Sequence, residues 1–280
     1  MIYTRFYDQV LTEIESGKVH EGINLLVGML DTVDLQAGSL AQARRELRGH
    51  SLCQMLREDP VVAHADAQPD CHAERLRMIG RSSAGAETSS TGRRLFEVTR
   101  ELTFARALRE RRDSFDLKLS RAWRQGQNIC LIDDNSNALL SGLDGSDESN
   151  ITVVDLEEVS RTLSCDANNH LPFDLMLAPD LLDRCNPPEL QNILELMRAT
   201  LSNQGSIILA GLTPKHLGAG WRSACLNWNP QCYNELDLAR IALDAGLVAR
   251  MYRDETDCIV WAELRNALKA CNEGETSHAG

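Results

Sequence analysis

The chain has no run approaching the roughly 20 consecutive apolar residues that a membrane-spanning helix requires, although 43% of its 280 residues are hydrophobic. Its opening stretch, MIYTRFYDQVLTEIESGK, carries acids early and lacks an apolar h-region, so no signal peptide and a cytoplasmic location are expected. Basic charge is in deficit: 29 Lys and Arg face 41 Asp and Glu, a formal charge of −12. Phosphate-tracking surfaces need clustered cations, so no nucleic-acid partner is expected. The Arg-rich stretches RELRGH and RALRERR read as solvated helix faces. Paired thiols are missing as well. Nine cysteines are scattered, odd in number and without a CxxC pair, which suits reduced thiols better than a disulfide framework or a zinc site. The seven histidines form no HxxxH pair, and neither a GxSxG elbow nor a Walker loop is present. No metal is expected, and hydrolase or P-loop chemistry has no carrier.

What is present divides at Gly126. Residues 1–125 read as a helical N-terminal region: TRFYDQVLTEIE and HEGINLLVGMLDTV space apolar residues three and four apart, as a helix packed on one face does. SLAQARRELRGHSLCQMLRED continues the pattern as far as Asp59-Pro60, and residues 60–79 are mixed. GRSSAGAETSSTG, at 80–92, is small and polar and reads as a flexible loop. One long helix is then predicted over RRLFEVTRELTFARALRERRDSFDLKLSRAW. From 126 to 265, short apolar runs (NICLI, ITVVD, FDLMLA, GSIILA, LVARMY, CIVWAEL) alternate with helical stretches. That alternation predicts an α/β domain with a mostly parallel sheet covered on both faces, closed by an antiparallel hairpin. Residues 266–280 read as a frayed tail.

The stretch NICLIDDNSNALLSGL, with ITVVDLEEV after it, has the layout of a nucleotide-binding βαβ start, yet its turn has no glycine before Gly142. Six strands with a closing hairpin outline the class I S-adenosylmethionine-dependent methyltransferase fold, a Rossmann-like sheet. PFDLMLAPDLLDRCNPPELQNILELMRATLSNQGSIILAGLTP resembles the bacterial group that includes the 3-hydroxy-palmitate methyl ester synthases of quorum signalling. HEGINLLVGML, HSLCQMLREDP and ALRERRDSF resemble that group's helical extension, so the similarity runs over about residues 10 to 264.

The resemblance implies S-adenosylmethionine as cofactor if the chain is active, and possible loss of the cofactor otherwise, because the chain departs from the pattern at four places. Asp133, Asp134, Asn135, Ser136 and Asn137 stand where the group has its glycine loop. Asn tolerates left-handed backbone, so a tight turn can survive, but these side chains project toward the amino-acid end of the cofactor. Only 17 residues separate Asp155 from Phe173, which leaves little room for the third strand, with Asp166 as a remnant of the adenine pocket. Asp180 and Arg184 replace a glycine and a tyrosine beside the methyl-transfer centre. In DPVVAHADAQPDCHAERLRMIG, the framework residues Asp59, Pro60, Ala65, Pro69, Ala73 and Met78 align, while Asp70, Cys71, His72 and Arg75 replace the chemical ones.

Asp155 has two open roles, ribose ligand or N-cap of LEEVSRTL. Trp221, Trp228 and Tyr233 read as cover over the sheet's carboxyl edge, with pocket lining as the alternative, and His72 joins them as a pocket candidate. A general base could be sought at His72 or His216, although exposed polar loop residues account for both. No catalytic residue is identified. The expected protein is a methyltransferase-fold chain with lost or nearly lost catalysis, acting by pairing with a protein partner or itself, or by holding a small ligand. The alternative is a divergent active methyltransferase on a fatty-acyl or other small carboxylate.

Overall fold

The structure, a computed structural model of the chain, describes residues 2–35, 38–133, 140, 150–166 and 172–267. The chain forms two compact units: residues 1–109 with 215–229, and residues 110–214 with 230–280.

The first unit is helical. Thr4–Glu15 buries Tyr7, Val10 and Ile14, and Val19–Asp34 buries Ile23, Leu26, Leu30 and Val33, the three-and-four spacing seen in the sequence. Ser39–Arg48 and Ser51–Leu56 follow. The mixed segment resolves into two helices, Pro60–Ala67 and His72–Gly80. Asp59 starts the first of them by accepting the Val61 N–H at 2.8 Å, with Pro60 at a position that needs no donor. Within the stretch expected to be a loop, Ser89 caps a helix running Ser90–Thr99. Gly92 is required there, because a Cβ would come within 2.2 Å of the Glu58 carbonyl oxygen.

The single long helix predicted after residue 92 is two, Ser90–Thr99 and Thr103–Arg124. Tertiary contacts break it. The buried Thr99 hydroxyl donates to the Asp59 carboxylate at 2.5 Å, and the Arg109 guanidinium takes up the Arg100 carbonyl that the break frees. The units divide at Arg109, within this second helix, rather than near 125. Its first turn lines a cavity with Asp59 and Phe96, whereas Arg111, Phe115 and Lys118 engage partners of the sheet unit. Residues 215–229 also join the helical unit. Asp31 accepts the N–H groups of Gly218 at 2.7 Å and Gly220 at 2.8 Å, which start the helix Ala219–Cys225.

The second unit is built on six strands: β1 Ile129–Ile132, β2 Ile151–Val154, β3 Phe173–Ala178, β4 Leu201–Leu212, β5 Leu247–Arg253 and β6 Ile259–Asn266. Their order is β2-β1-β3-β4-β6-β5, with β1 to β4 parallel and β6 antiparallel to both neighbours. All six apolar runs became strands, and the mostly parallel α/β sheet with a closing antiparallel hairpin expected of the sequence is the one found. β1 is buried throughout, as a central parallel strand covered on both faces must be. β4 begins earlier than GSIILA, and its register to β3 shifts between Phe173 and Leu175. Gly205 permits this, since a Cβ would lie 2.7 Å from the Phe173 carbonyl oxygen. Between β2 and β3 the described residues hold a short turn of helix, Leu156–Glu158, and the helix Val159–Asp166, but no strand, so β2 ends the sheet. Pro187–Thr200 starts on a capping box between Asn186 and Glu189, and Glu235–Asp244 starts on Asn234.

Candidate functional site

In an open parallel sheet the ligand crevice lies outside the carboxyl ends of the strands where their order reverses. Here that point falls between β1, whose chain leads out to β2, and β3 on its other side. Asp133 follows β1 directly, and Asp180 and Asp183 follow β3. Asp180 and Asp183 hold one cation, and Asp133 acts on it electrostatically. Arg111 donates to Asp183 at 2.8 Å and to Asp180 at 3.0 Å, and its Nη1 lies 3.5 Å from the Ala210 carbonyl oxygen on β4. The Asp183 side chain is fully buried, and its other oxygen accepts the Leu212 N–H at 3.2 Å. Burial opposes the charge on Arg111, but Asp183 and Asp180, with Asp133 adding to them, outweigh it and hold the guanidinium above the ordinary arginine value. A buried ion network therefore occupies the β3 side of the switch point and reaches β4, with Asp133 adding negative charge from the β1 side. An exposed pair, Arg184 with Glu157 at 3.7 Å, lies between the chain after β3 and the chain after β2.

Sequence reasoning missed Arg111 by reading RALRERR as a solvated face. Arg111 is only 4% exposed. Its phase carried the signal: Leu108, Phe115, Leu119 and Ala122 are the buried stripe of the same helix, and Arg111 falls on it.

Asp155 directly follows β2, exposed, and its Oδ1 accepts the Glu157 N–H at 2.8 Å. It caps the helical turn with one oxygen while facing solvent, which leaves it able to receive hydroxyls. Asp133 is buried beside the network just described. Asp134, Asn135, Ser136 and Asn137 lie outside the described residues, as does the side chain of Asp166. S-adenosylmethionine carries a positive sulfonium next to its reactive methyl. A permanent guanidinium already sits between Asp180 and Asp183 and takes up their hydrogen-bonding capacity beside the switch point. The residues present do not fit the methyl-bearing end of that cofactor.

The four pocket candidates are divided between the two units. Tyr233 belongs to the sheet unit, buried in its core, where its hydroxyl donates to the Cys185 carbonyl. Trp221 is buried in the helical unit and lines a cavity of about 10 Å³ with Asp59, Phe96, Thr99 and Phe104. His72 and Trp228 do meet, edge to face, with ring centroids 5.3 Å apart. His216, expected on an exposed loop, is buried. Asp59, aligned as framework, has an altered acidity in this unit: burial pushes its carboxyl up to about 6 against the Thr99 and Val61 hydrogen bonds that favour the charged form. None of the seven cysteines whose side chains are described forms a disulfide. No helix among the described residues is long and apolar enough to cross a membrane.

The sequence matches no protein-family model and no curated protein sequence. Its fold is shared with solved structures. A Bordetella parapertussis protein described as a possible exported protein aligns over 84% of this chain and 96% of its own, with a TM-score of 0.55 and 16% identity. Magnesium protoporphyrin IX methyltransferase from Synechocystis, with bound S-adenosylhomocysteine, aligns over 72% of this chain and 97% of its own, with a TM-score of 0.44 and 13% identity. At such identities the likeness concerns the fold alone.

Proposed function

We propose that this chain is a methyltransferase-fold protein that has lost, or nearly lost, catalysis and works by binding in the cytoplasm, through a small ligand, a second copy of itself or a protein partner. One observation carries this reading: the Arg111–Asp180–Asp183 network, with Asp133 beside it, occupies the β3 side of the switch point where a methyl donor would have to lie. Opening that space for a cofactor means breaking a buried ion pair, which costs about 3–5 kcal/mol. A micromolar cofactor brings about 8 kcal/mol in all, so the network would consume a large share of the binding energy.

The deciding measurement is calorimetric titration of the folded protein with S-adenosylmethionine and S-adenosylhomocysteine. No heat up to millimolar ligand is expected. Binding tighter than about 100 μM, near −5.5 kcal/mol, overturns the reading.

The second reading is a divergent methyltransferase resembling the 3-hydroxy-palmitate methyl ester synthases, acting on an acyl carboxylate. Asp155 favours it, being exposed at the carboxyl end of β2 with its cap bond made by one oxygen. Under that reading Asp155→Ala abolishes cofactor binding, while Asp155→Asn, which keeps the cap, weakens it. Equal cofactor affinity in wild type and Asp155→Ala removes this reading.

A further inference from the structure

A second cluster is built from residues of the helical unit. The helix His72–Gly80 presents His72 and Arg75, and the segment after Ala219–Cys225 presents Trp228. The Arg75 guanidinium carbon lies 5.9 Å from the Trp228 ring centroid, that of Arg222 lies 5.7 Å from it, and the His72 ring meets it edge-on. Arg222 Nη1 donates to the Trp228 carbonyl at 2.7 Å, which fixes the indole against the helix. Arg75 is 2% exposed and Trp228 is 4% exposed.

The cluster is short of acceptors. Arg75 spends one donor on the Pro69 carbonyl at 2.5 Å, its Nε has no hydrogen-bond partner, and it takes part in no ion pair among the described residues. Burial works against its charge and holds it below the ordinary arginine value. The buried indole Nε1–H of Trp228 is equally without an acceptor. A guanidinium removed from water without an ion-pair contact among the described residues, next to an orphaned N–H, is costly, and the more distant Asp70 only partly offsets the burial. Stacking on the indole offsets part of that cost but gives neither donor an acceptor.

We propose that Arg75 and Trp228 form an anion-binding site that takes a carboxylate or phosphate group. Such a group offers the two lone-pair directions that a guanidinium fork and a neighbouring N–H can share. Arg222 adds positive charge beside the indole. The site does not depend on whether a methyl donor binds at the sheet.

The test uses the full chain labelled with 15N-tryptophan, whose four indole N–H signals are assigned through Trp228→Phe. Acetate, octanoate and inorganic phosphate are titrated against chloride at matched ionic strength. At least one oxyanion is expected to shift the Trp228 signal saturably and to raise the urea midpoint. A response to both carboxylates, to octanoate alone or to phosphate alone identifies a small carboxylate, an acyl carboxylate or a phosphorylated ligand. Arg75→Met should weaken that binding by at least about tenfold, the scale of one charge-assisted hydrogen bond, and Arg75→Lys by less. Should Arg75→Met fail to fold, Trp228→Phe followed by calorimetry carries the test, with weakened binding expected. The proposal is overturned if none of the three anions moves the Trp228 signal at tens of millimolar. It is equally overturned if the folded variants bind as tightly as wild type.

Discussion

Arg111→Met isolates the ion network. The guanidinium meets Asp183 at 2.8 Å and Asp180 at 3.0 Å, and the Asp183 side chain has no solvent-exposed area. Methionine fills the aliphatic part of the space but leaves Asp183 charged, buried and held only by the Leu212 N–H. Breaking a buried pair by removing one partner costs about 3–5 kcal/mol, against at most about 1 kcal/mol for a solvated pair. Urea unfolding followed by circular dichroism, at neutral pH in low and in 1 M salt, measures the difference. The destabilisation should be nearly the same at both salt concentrations, because a buried charge is little screened. Adding Asp183→Asn to the variant should recover part of the loss, since the amide oxygen can still accept from Leu212 while the stranded charge is gone. A cost below about 1 kcal/mol would refute the reasoning and return Arg111 to the solvated face.

Asp59 gives a pH signature. Its folded-state value, raised by burial to about 6, exceeds the unfolded value near 3.9, so the folded state binds the extra proton between them. That contribution, on the order of 3 kcal/mol by the free energy of a pKa unit, is full below about pH 4 and lost as pH rises through 6. Asp59→Asn keeps the cap and should flatten the urea midpoint between pH 4 and 7; an unchanged slope assigns the dependence elsewhere. Gly220→Ala places a Cβ 2.3 Å from the Leu30 carbonyl and should lower stability by roughly 1–3 kcal/mol or more, read as a drop in melting temperature that Gly28→Ala, with open space around it, does not produce. Asn186→Ala removes the capping box and should cost about 1 kcal/mol in the same assay.

The sequence by itself determined the elements and the class of fold, because hydrophobic period is a local property. The six apolar runs had the length and flanks of buried strands, and all six pair in one sheet. The shortness of the link from Asp155 to Phe173 already left little room for a third strand, and β2 ends the described sheet. Turn chemistry was legible too, in Asp59-Pro60 and in Asn186 with Glu189. Only the tertiary structure decided what the charges do. Arg111 and Arg112 are adjacent and identical in type, yet one is buried between two aspartates from 69 and 72 residues away while the other lies 3.9 Å from Asp116 on its own helix. The break after Thr99 depends on Asp59, 40 residues earlier, and the capture of residues 215–229 by the helical unit depends on Asp31, 187 residues before Gly218. A charge or hydroxyl takes its energy from the groups and the dielectric that folding brings around it. Those surroundings come from distant parts of the chain, and no local window of sequence contains them.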